Sequence, residues 1–105
     1  MKINLFSQSR SLKSDKAIKI KPSLIASLEA GKRLKEKRES YGMSRIDLST
    51  RTRITTSVIE AIENGWIDNL PENAYLNTML GILERELRLE RGSLKGIIQT
   101  NEESE

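Results

Sequence analysis

The sequence predicts a small all-α domain, and three observations support this prediction. Between residues 23 and 99, apolar residues recur at steps of three and four, as they do along one face of an α-helix. Gly42, Gly65 and Pro71 separate these periodic segments. Strand-like alternation of apolar and polar residues is confined to AIKIK, residues 17–21, which has no evident pairing partner. We therefore expect helices without a sheet.

The chain length suits one small domain with a tail at each end. Residues 1–22 mix Lys, Ser and scattered apolar residues, and we expect a basic, mostly disordered arm there. Residues 23–99 form the predicted domain, and residues 100–105 form an acidic tail that we also expect to be disordered. Residues 1–42 hold 11 Lys and Arg against 4 Asp and Glu, whereas residues 43–105 hold 7 against 11. This asymmetry indicates either an arm for an anionic partner or a solubilising tail.

The composition argues against several classes of function. The chain has no Cys and no His, which rules out a disulfide framework and a thiolate metal site and removes the commonest general base. Its carboxylates fit solvated helix faces better than a catalytic pocket. The apolar stretches are too short for a transmembrane helix or a signal peptide. We predict a non-enzymatic, cytoplasmic protein that uses no metal or cofactor.

The first predicted helix begins at Ser23 and is ended by Gly42, in the position of a C-terminal glycine. Six residues share one face of this helix: Leu24, Leu28, Gly31, Leu34, Arg38 and Tyr41. Gly31 lies in the helix interior, where it costs about 1 kcal/mol relative to Ala. We therefore expect another helix to approach closely at Gly31.

The second predicted helix covers residues 44–52, SRIDLSTRT. Ser44 is its expected N-cap, and Asp47 three residues later completes an approximate capping box. Ile46 and Leu48 are candidates for burial.

The third predicted helix follows almost at once. Thr55 or Thr56 caps it, and Gly65 ends it. Two short helices joined by about four residues form a helix-turn-helix arrangement. Trp66 follows this arrangement, and we interpret it as semi-buried rather than as an exposed anchor for a partner.

The fourth predicted helix covers about residues 72–88 and is the longest and most apolar. Its repeating apolar residues are Tyr75, Leu76, Met79, Leu80, Leu83 and Leu87. A fifth short helix, GSLKGIIQ at residues 92–99, is expected to add Leu94, Ile97 and Ile98 to the core. The predicted architecture therefore has five helices.

The segment GKRLKEKRESYGMSRIDLSTRTRITTSVIEAIENGWIDNLP resembles the Xre/Cro-repressor helix-turn-helix superfamily. Within it, the likeness is closest to the N-terminal cytoplasmic domain of the RodZ family of bacterial cell-shape proteins. The matching motifs are GKRLKEKRE, GMS, IEAIENGWIDNLP and Tyr75 four residues after Pro71. The likeness covers roughly residues 28–98 and implies a five-helix, lambda-repressor-like domain.

The repressor branch of this superfamily implies DNA binding, with residues 56–64 as the helix that enters the major groove. Arginines can contact phosphates, and hydroxyls at a helix N-terminus can contact bases or phosphates. The alternative is that these residues are ordinary solvated arginines and helix caps. The candidate DNA-binding residues are Arg45, Arg51, Arg53, Thr55, Thr56 and Ser57. Repressors favour long amide or basic side chains at the positions matching Thr56, Ser57 and Ala61, so we expect modest sequence specificity. A module of this size usually needs a homodimer partner or an arm for tight binding.

The RodZ branch implies a different partner, the actin-like protein MreB. Its contact depends on aromatic residues of the fourth helix, whereas this chain has Met79 and Leu83 at the favoured positions. The corresponding candidates for a protein partner are Tyr75, Met79 and Leu83, although the same three residues fit a core stripe. DNA binding is our leading hypothesis, and an adaptor that binds an MreB-like protein is the alternative.

Overall fold

The computed structural model describes residues 21–98, so the predicted acidic tail and nearly all of the predicted arm lie outside the described residues. Residues 21–98 form four α-helices and two 3-10 turns, without a strand. The helices are α1 (Pro22–Ser40), α2 (Arg45–Thr52), α3 (Thr56–Asn64) and α4 (Asn73–Glu86), and the 3-10 turns cover Ile67–Asn69 and Lys95–Ile97. In this described range, no helix combines the length and apolar character needed to cross a membrane.

Local sequence features determine where helix α1 begins and where it ends. Pro22 occupies the first helical position, where its fixed φ suits the helix and its missing N–H costs nothing. At the other end, the N–H of Met43 donates to the carbonyl of Arg38 at 3.2 Å, and that of Gly42 donates to the carbonyl of Glu39 at 2.9 Å. These two bonds form a Schellman motif, which satisfies the last carbonyls of the helix. The prediction that Gly42 ends this helix is confirmed.

Helix α1 crosses α3 at Gly31, as the sequence predicted. A Cβ at position 31 would collide with the carbonyl oxygen of Ile62 and lie 3.0 Å from that of Glu63. The backbone of α3 therefore occupies the space that any other side chain would need. Glycine is required here because of the distance between two helices.

The core combines aliphatic side chains from all four helices, from the turn between α2 and α3 and from the segment after α4. Its members are Ala30, Leu34, Leu48, Ile54, Ile59, Ile62, Leu76, Leu80, Leu83, Leu87, Leu94 and Ile97. Met79 and Ile98 pack against this cluster and are partly buried. The aliphatic character of the core agrees with the low aromatic content of the chain, which is 4%.

The prediction of a fifth helix is wrong. Leu94 and Ile97 are fully buried as expected, but the segment forms only the 3-10 turn Lys95–Ile97. Glycines at 92 and 96 lower the helix propensity of this short segment. Ser27 of α1 holds the turn in place, because its hydroxyl lies 3.0 Å from the carbonyl oxygen of Gly96.

Two residues expected in the core are exposed, and helix geometry explains both. Ile46 is 69% exposed, because two residues correspond to about 200° of rotation from the buried Leu48. Tyr75 is 66% exposed and lies about 100° from the buried Leu76. Both residues therefore lie outside the buried face of their helix.

Three further residues are less buried than predicted. Trp66 is 47% exposed and follows the end of α3. Leu28 and Tyr41 lie at the edge of the α1 face and are exposed as well. The Tyr41 hydroxyl donates to the carbonyl of Leu87 at 3.2 Å, which joins the end of α1 to the end of α4.

The close crossing of α1 and α3 predicts opposite effects of the same substitution at two helical glycines. Gly31→Ala should destabilise the protein by about 1–3 kcal/mol, as expected for an overpacked site. Gly81→Ala in α4 is the matched control, since its Cβ would meet no described atom within 4 Å, and it should stabilise the protein by about 0.5–1 kcal/mol. Urea unfolding followed by circular dichroism measures both changes. Equal stability of the two variants would contradict the close crossing.

Candidate nucleic-acid interface

Helix α2 begins at a complete capping box. The N–H of Asp47 donates to the Ser44 hydroxyl at 3.0 Å, and the N–H of Ser44 donates to the Asp47 carboxylate at 2.9 Å. The backbone bond from Ser44 lowers the pKa of Asp47 below its ordinary value, because it stabilises the charged form. The predicted N-cap is confirmed, and the box fixes the turn of α2 that carries Arg45.

The turn between α2 and α3 has a defined conformation. Arg53 adopts left-handed backbone geometry with φ of 64°, and its N–H donates to the carbonyl of Ser49 at 2.7 Å. The Thr52 hydroxyl donates to the carbonyl of Leu48 at 2.8 Å and accepts from the N–H of Ile54 at 3.3 Å. Since Ile54 is also buried, the turn is anchored to the core while Arg53 faces solvent.

The first turn of α3 is open to solvent. Thr55 is the N-cap, and its hydroxyl accepts from the N–H of Val58 at 3.3 Å. Thr55 and Ser57 are exposed, and Thr56 is partly exposed. The first N–H groups of an α-helix have no partner within the helix, so this turn presents hydrogen-bond donors together with hydroxyl groups.

The remainder of α3 is turned toward the protein. Ile59, Ala61, Ile62 and Glu63 are buried. Ala61 therefore lies outside the face that would meet the major groove of DNA, although repressors favour a long side chain at the matching position. The accessible part of α3 consists mainly of its first turn.

A buried carboxylate joins the three helices around the turn. Glu63 of α3 receives two bonds from Arg38 of α1, from Nε at 2.6 Å and from Nη2 at 3.0 Å. It receives a third bond from Nε of Arg45 in α2, at 3.0 Å. Arg38 also donates to the carbonyl of Met43 at 2.7 Å. We call Arg38, Glu63 and Arg45 the buried ion cluster.

The buried ion cluster determines the charge that α3 presents. The helix contains two carboxylates and no basic residue. The Glu63 side chain has no exposed surface, and its hydrogen bonds raise the pKa of Arg38. The Glu60 side chain is 43% exposed and lies 3.9 Å from Arg45. Both acidic groups therefore have cationic partners, which reduces their repulsion of an anionic ligand.

Five of the six candidate DNA-binding residues fall within residues 51–57, from the end of α2 to the start of α3. Thr55, Thr56 and Ser57 are consecutive, Arg53 lies in the turn before them, and Arg51 lies in the last turn of α2. The Arg51 guanidinium is 3.5 Å from Glu86 at the surface, a pair worth at most about 1 kcal/mol. The Arg51 and Arg53 side chains are therefore accessible to a ligand beside the open turn of α3.

Arg45 differs from these five residues. It lies at the opposite end of α2, about 9 Å along the helix axis from Arg51. Its guanidinium is bound to Glu63 and its side chain is 33% exposed. A phosphate would have to share Arg45 with a buried carboxylate.

The three candidates for a protein partner do not form one exposed surface. Tyr75 is exposed, Met79 is partly buried, and Leu83 is fully buried. The core interpretation therefore holds for Leu83 and fails for Tyr75.

Sequence reasoning missed Glu63, although a signal for it was present. Arg38 falls on the same helical face as Gly31 and Leu34, which indicates a buried cation. Glu63 lies four residues after Ile59 and next to Ile62, on the buried face of its own helix. Two opposite charges on apolar faces of neighbouring helices indicate a buried pair.

Comparison with known families and proteins gives one match. A family model described as a helix-turn-helix domain matches residues 33–94, which is more than half of the chain. The matched segment contains α2, α3, α4 and the C-terminal part of α1. Comparisons with curated proteins and with solved structures find no match.

The buried ion cluster predicts different costs for two neighbouring carboxylates. Glu63→Gln leaves the buried Arg38 with only the exposed carboxylate of Glu39 nearby, at 3.9 Å, and should destabilise the protein by about 3–5 kcal/mol. Glu60→Gln removes a half-exposed carboxylate and should cost less than about 1 kcal/mol. Thermal and urea unfolding of both variants test this contrast. If Glu63→Gln costs no more than Glu60→Gln, the cluster does not hold the helices together.

Proposed function

Because the chain belongs to a family of helix-turn-helix domains, we propose that it binds duplex DNA through α3 and the turn before it. One observation carries the proposal: the first turn of α3 is accessible, and two exposed arginines precede it in the chain. Thr55 and Ser57 are exposed on that turn, and Arg51 and Arg53 precede it. The family and the composition both favour a binding protein over an enzyme. A role in transcription regulation and a cytoplasmic location belong to the same proposal.

In this proposal, α3 enters the major groove with its N-terminal end foremost. Arg51 and Arg53 contact phosphates on the flanking strand. The hydroxyls of Thr55, Thr56 and Ser57 and the first N–H groups of the helix supply further hydrogen bonds. The predicted basic arm adds sequence-independent attraction, because it places additional cations near the phosphates.

Arg45 has a positioning role in this proposal. Its bond to Glu63 fixes the start of α2 relative to α3, which sets the angle at which the two helices meet DNA. The exposed part of its guanidinium contributes a weaker contact to a phosphate than Arg51 or Arg53 does.

Sequence specificity is modest in this proposal, for two reasons. Thr and Ser hydroxyls cannot form the bidentate pairs that distinguish adenine or guanine. Ala61 is buried, so the second turn of α3 adds little. Most of the affinity therefore comes from phosphates and depends strongly on salt concentration.

Charge reversal beside α3 tests the proposal. Arg51→Glu combined with Arg53→Glu should weaken duplex binding. It should also make the decrease of log affinity with log salt concentration shallower, by about 2 in slope, because each arginine that is lost no longer neutralises one phosphate. Fluorescence anisotropy with a labelled duplex, measured over a range of salt concentrations, gives this slope.

Lys32→Glu combined with Lys35→Glu is the matched control. It changes the net charge by the same amount on exposed residues of α1, and it should leave the slope nearly unchanged. Equal weakening in the two double variants would show that net charge, rather than this surface, controls binding. Absence of duplex binding by the unaltered chain at low salt would contradict the proposal outright.

A protein partner is the second candidate function, and the exposure of Tyr75 favours it. Tyr75 is 66% exposed near the start of α4, and aromatic side chains on protein surfaces often mark contact sites. In the RodZ-like alternative, this end of α4 binds the actin-like protein MreB, with Tyr75 and Met79 at the contact. Leu83 is buried and supports the helix from inside.

A binding assay with purified MreB tests this alternative. Tyr75→Ala should weaken the complex by at least about tenfold if Tyr75 is a binding hot spot. Tyr41→Ala, which removes a 46% exposed tyrosine at the end of α1, is the control and should leave the complex intact. Failure of the unaltered chain to bind MreB would exclude this partner.

A further inference from the structure

A groove outside the helix-turn-helix surface has the chemistry of a peptide-binding site. It lies between α4 and the segment that follows it, and its volume is about 650 Å³. Leu80, Gly81 and Leu89 supply its apolar lining, which we call the floor. The cations Arg85, Arg91 and Lys95 surround it.

The chain path after α4 creates this groove. Arg88 adopts left-handed geometry with φ of 59°, and the N–H of Leu89 donates to the carbonyl of Glu84 at 2.8 Å. Further along the chain, the N–H of Leu94 donates to the buried Glu84 carboxylate of α4 at 2.9 Å. This bond attaches the segment after α4 to the helix beside the groove.

The cations at the groove outnumber its carboxylates. Arg85, Arg91 and Lys95 are at least partly exposed, and none of them forms an ion pair with another residue in the range 21–98. The carboxylate of Glu84 lines the groove but is already bonded to the backbone of Leu94. The groove therefore attracts an anionic ligand.

We propose that this groove binds an acidic peptide segment of a partner protein, one that also carries an apolar side chain. Carboxylates of the peptide meet Arg85, Arg91 and Lys95, and arginine forms strong, paired hydrogen bonds with carboxylates. The apolar side chain lies on the floor beside Gly81, where the absence of a side chain leaves space. The volume falls within the range of about 300–1,000 Å³ that is typical of ligand pockets.

The same features disfavour DNA as the occupant. A duplex is too wide to enter a groove of this size, and its phosphates gain nothing from an apolar floor. The groove is lined by residues 77–95, so none of its described lining residues belongs to α2 or α3. The peptide and DNA therefore bind at separate places, and each can be tested without the other.

Titration with a synthetic peptide of repeated Glu-Glu-Leu units tests the proposal. The amide signals of Gly81 and Gly92, both at the groove, should shift and saturate in nuclear magnetic resonance spectra of the full chain. Arg85→Glu combined with Arg91→Glu should weaken binding by at least about tenfold, since two charge-assisted hydrogen bonds are removed. Lys32→Glu combined with Lys35→Glu makes the same change in net charge on α1 and should alter binding by less than about twofold.

A second variant changes the shape of the groove without changing its charge. Gly81→Leu fills the floor, and it should fold because a Cβ at this helical position would contact no described atom within 4 Å. It should abolish the saturable binding of the peptide while leaving all three cations in place. Retained binding in this variant would overturn the role of the floor.

Three further results would overturn the proposal. The first is an absence of shifts at Gly81 and Gly92 in the unaltered chain. The second is equal affinity for a peptide in which Ser replaces every Leu, because binding would then need only charge. The third is displacement of the peptide from the groove by duplex DNA together with shifts of the same two glycines, which would assign the groove to phosphates.

Discussion

The buried carboxylate of Glu63 is the interaction on which the arrangement of the helices depends. Removal of a carboxylate from water is costly, and it is tolerated when the charge is paired and its hydrogen-bonding capacity is used. Arg38 and Arg45 meet this requirement with three hydrogen bonds. Because these partners belong to α1 and α2, the charge can be satisfied only when all three helices take the observed arrangement.

The crossing at Gly31 and the buried ion cluster act on the same part of α3. The backbone of α1 touches the carbonyls of Ile62 and Glu63, and the side chain of Glu63 then reaches Arg38. A larger residue at position 31 would move α3 outward and stretch the bonds to Glu63. Packing and electrostatics therefore specify the same geometry, and they leave the first turn of α3 in a fixed orientation toward solvent.

Much of the fold could be predicted because its signals are local. Caps at Ser44 and Thr55 and the helix stop at Gly65 depend on residues within one turn of each other. The exposure of Ile46 and Tyr75 could not be predicted as easily, because each lies near a buried leucine and only the packing partner selects the buried face. The groove beside α4 was not predicted at all, since it arises from the path of the chain after Arg88.

Residues 21–98 contain two buried glutamates, Glu63 and Glu84. They have different structural roles. Glu63 binds guanidinium groups and so connects helices, while Glu84 binds a backbone N–H and so attaches the segment after α4. Ser27 of α1 holds the same segment from another side, because its hydroxyl donates to the carbonyl of Gly96 at 3.0 Å. The segment with the 3-10 turn therefore keeps Leu94 and Ile97 in the core and leaves the cations Arg91 and Lys95 beside an open groove.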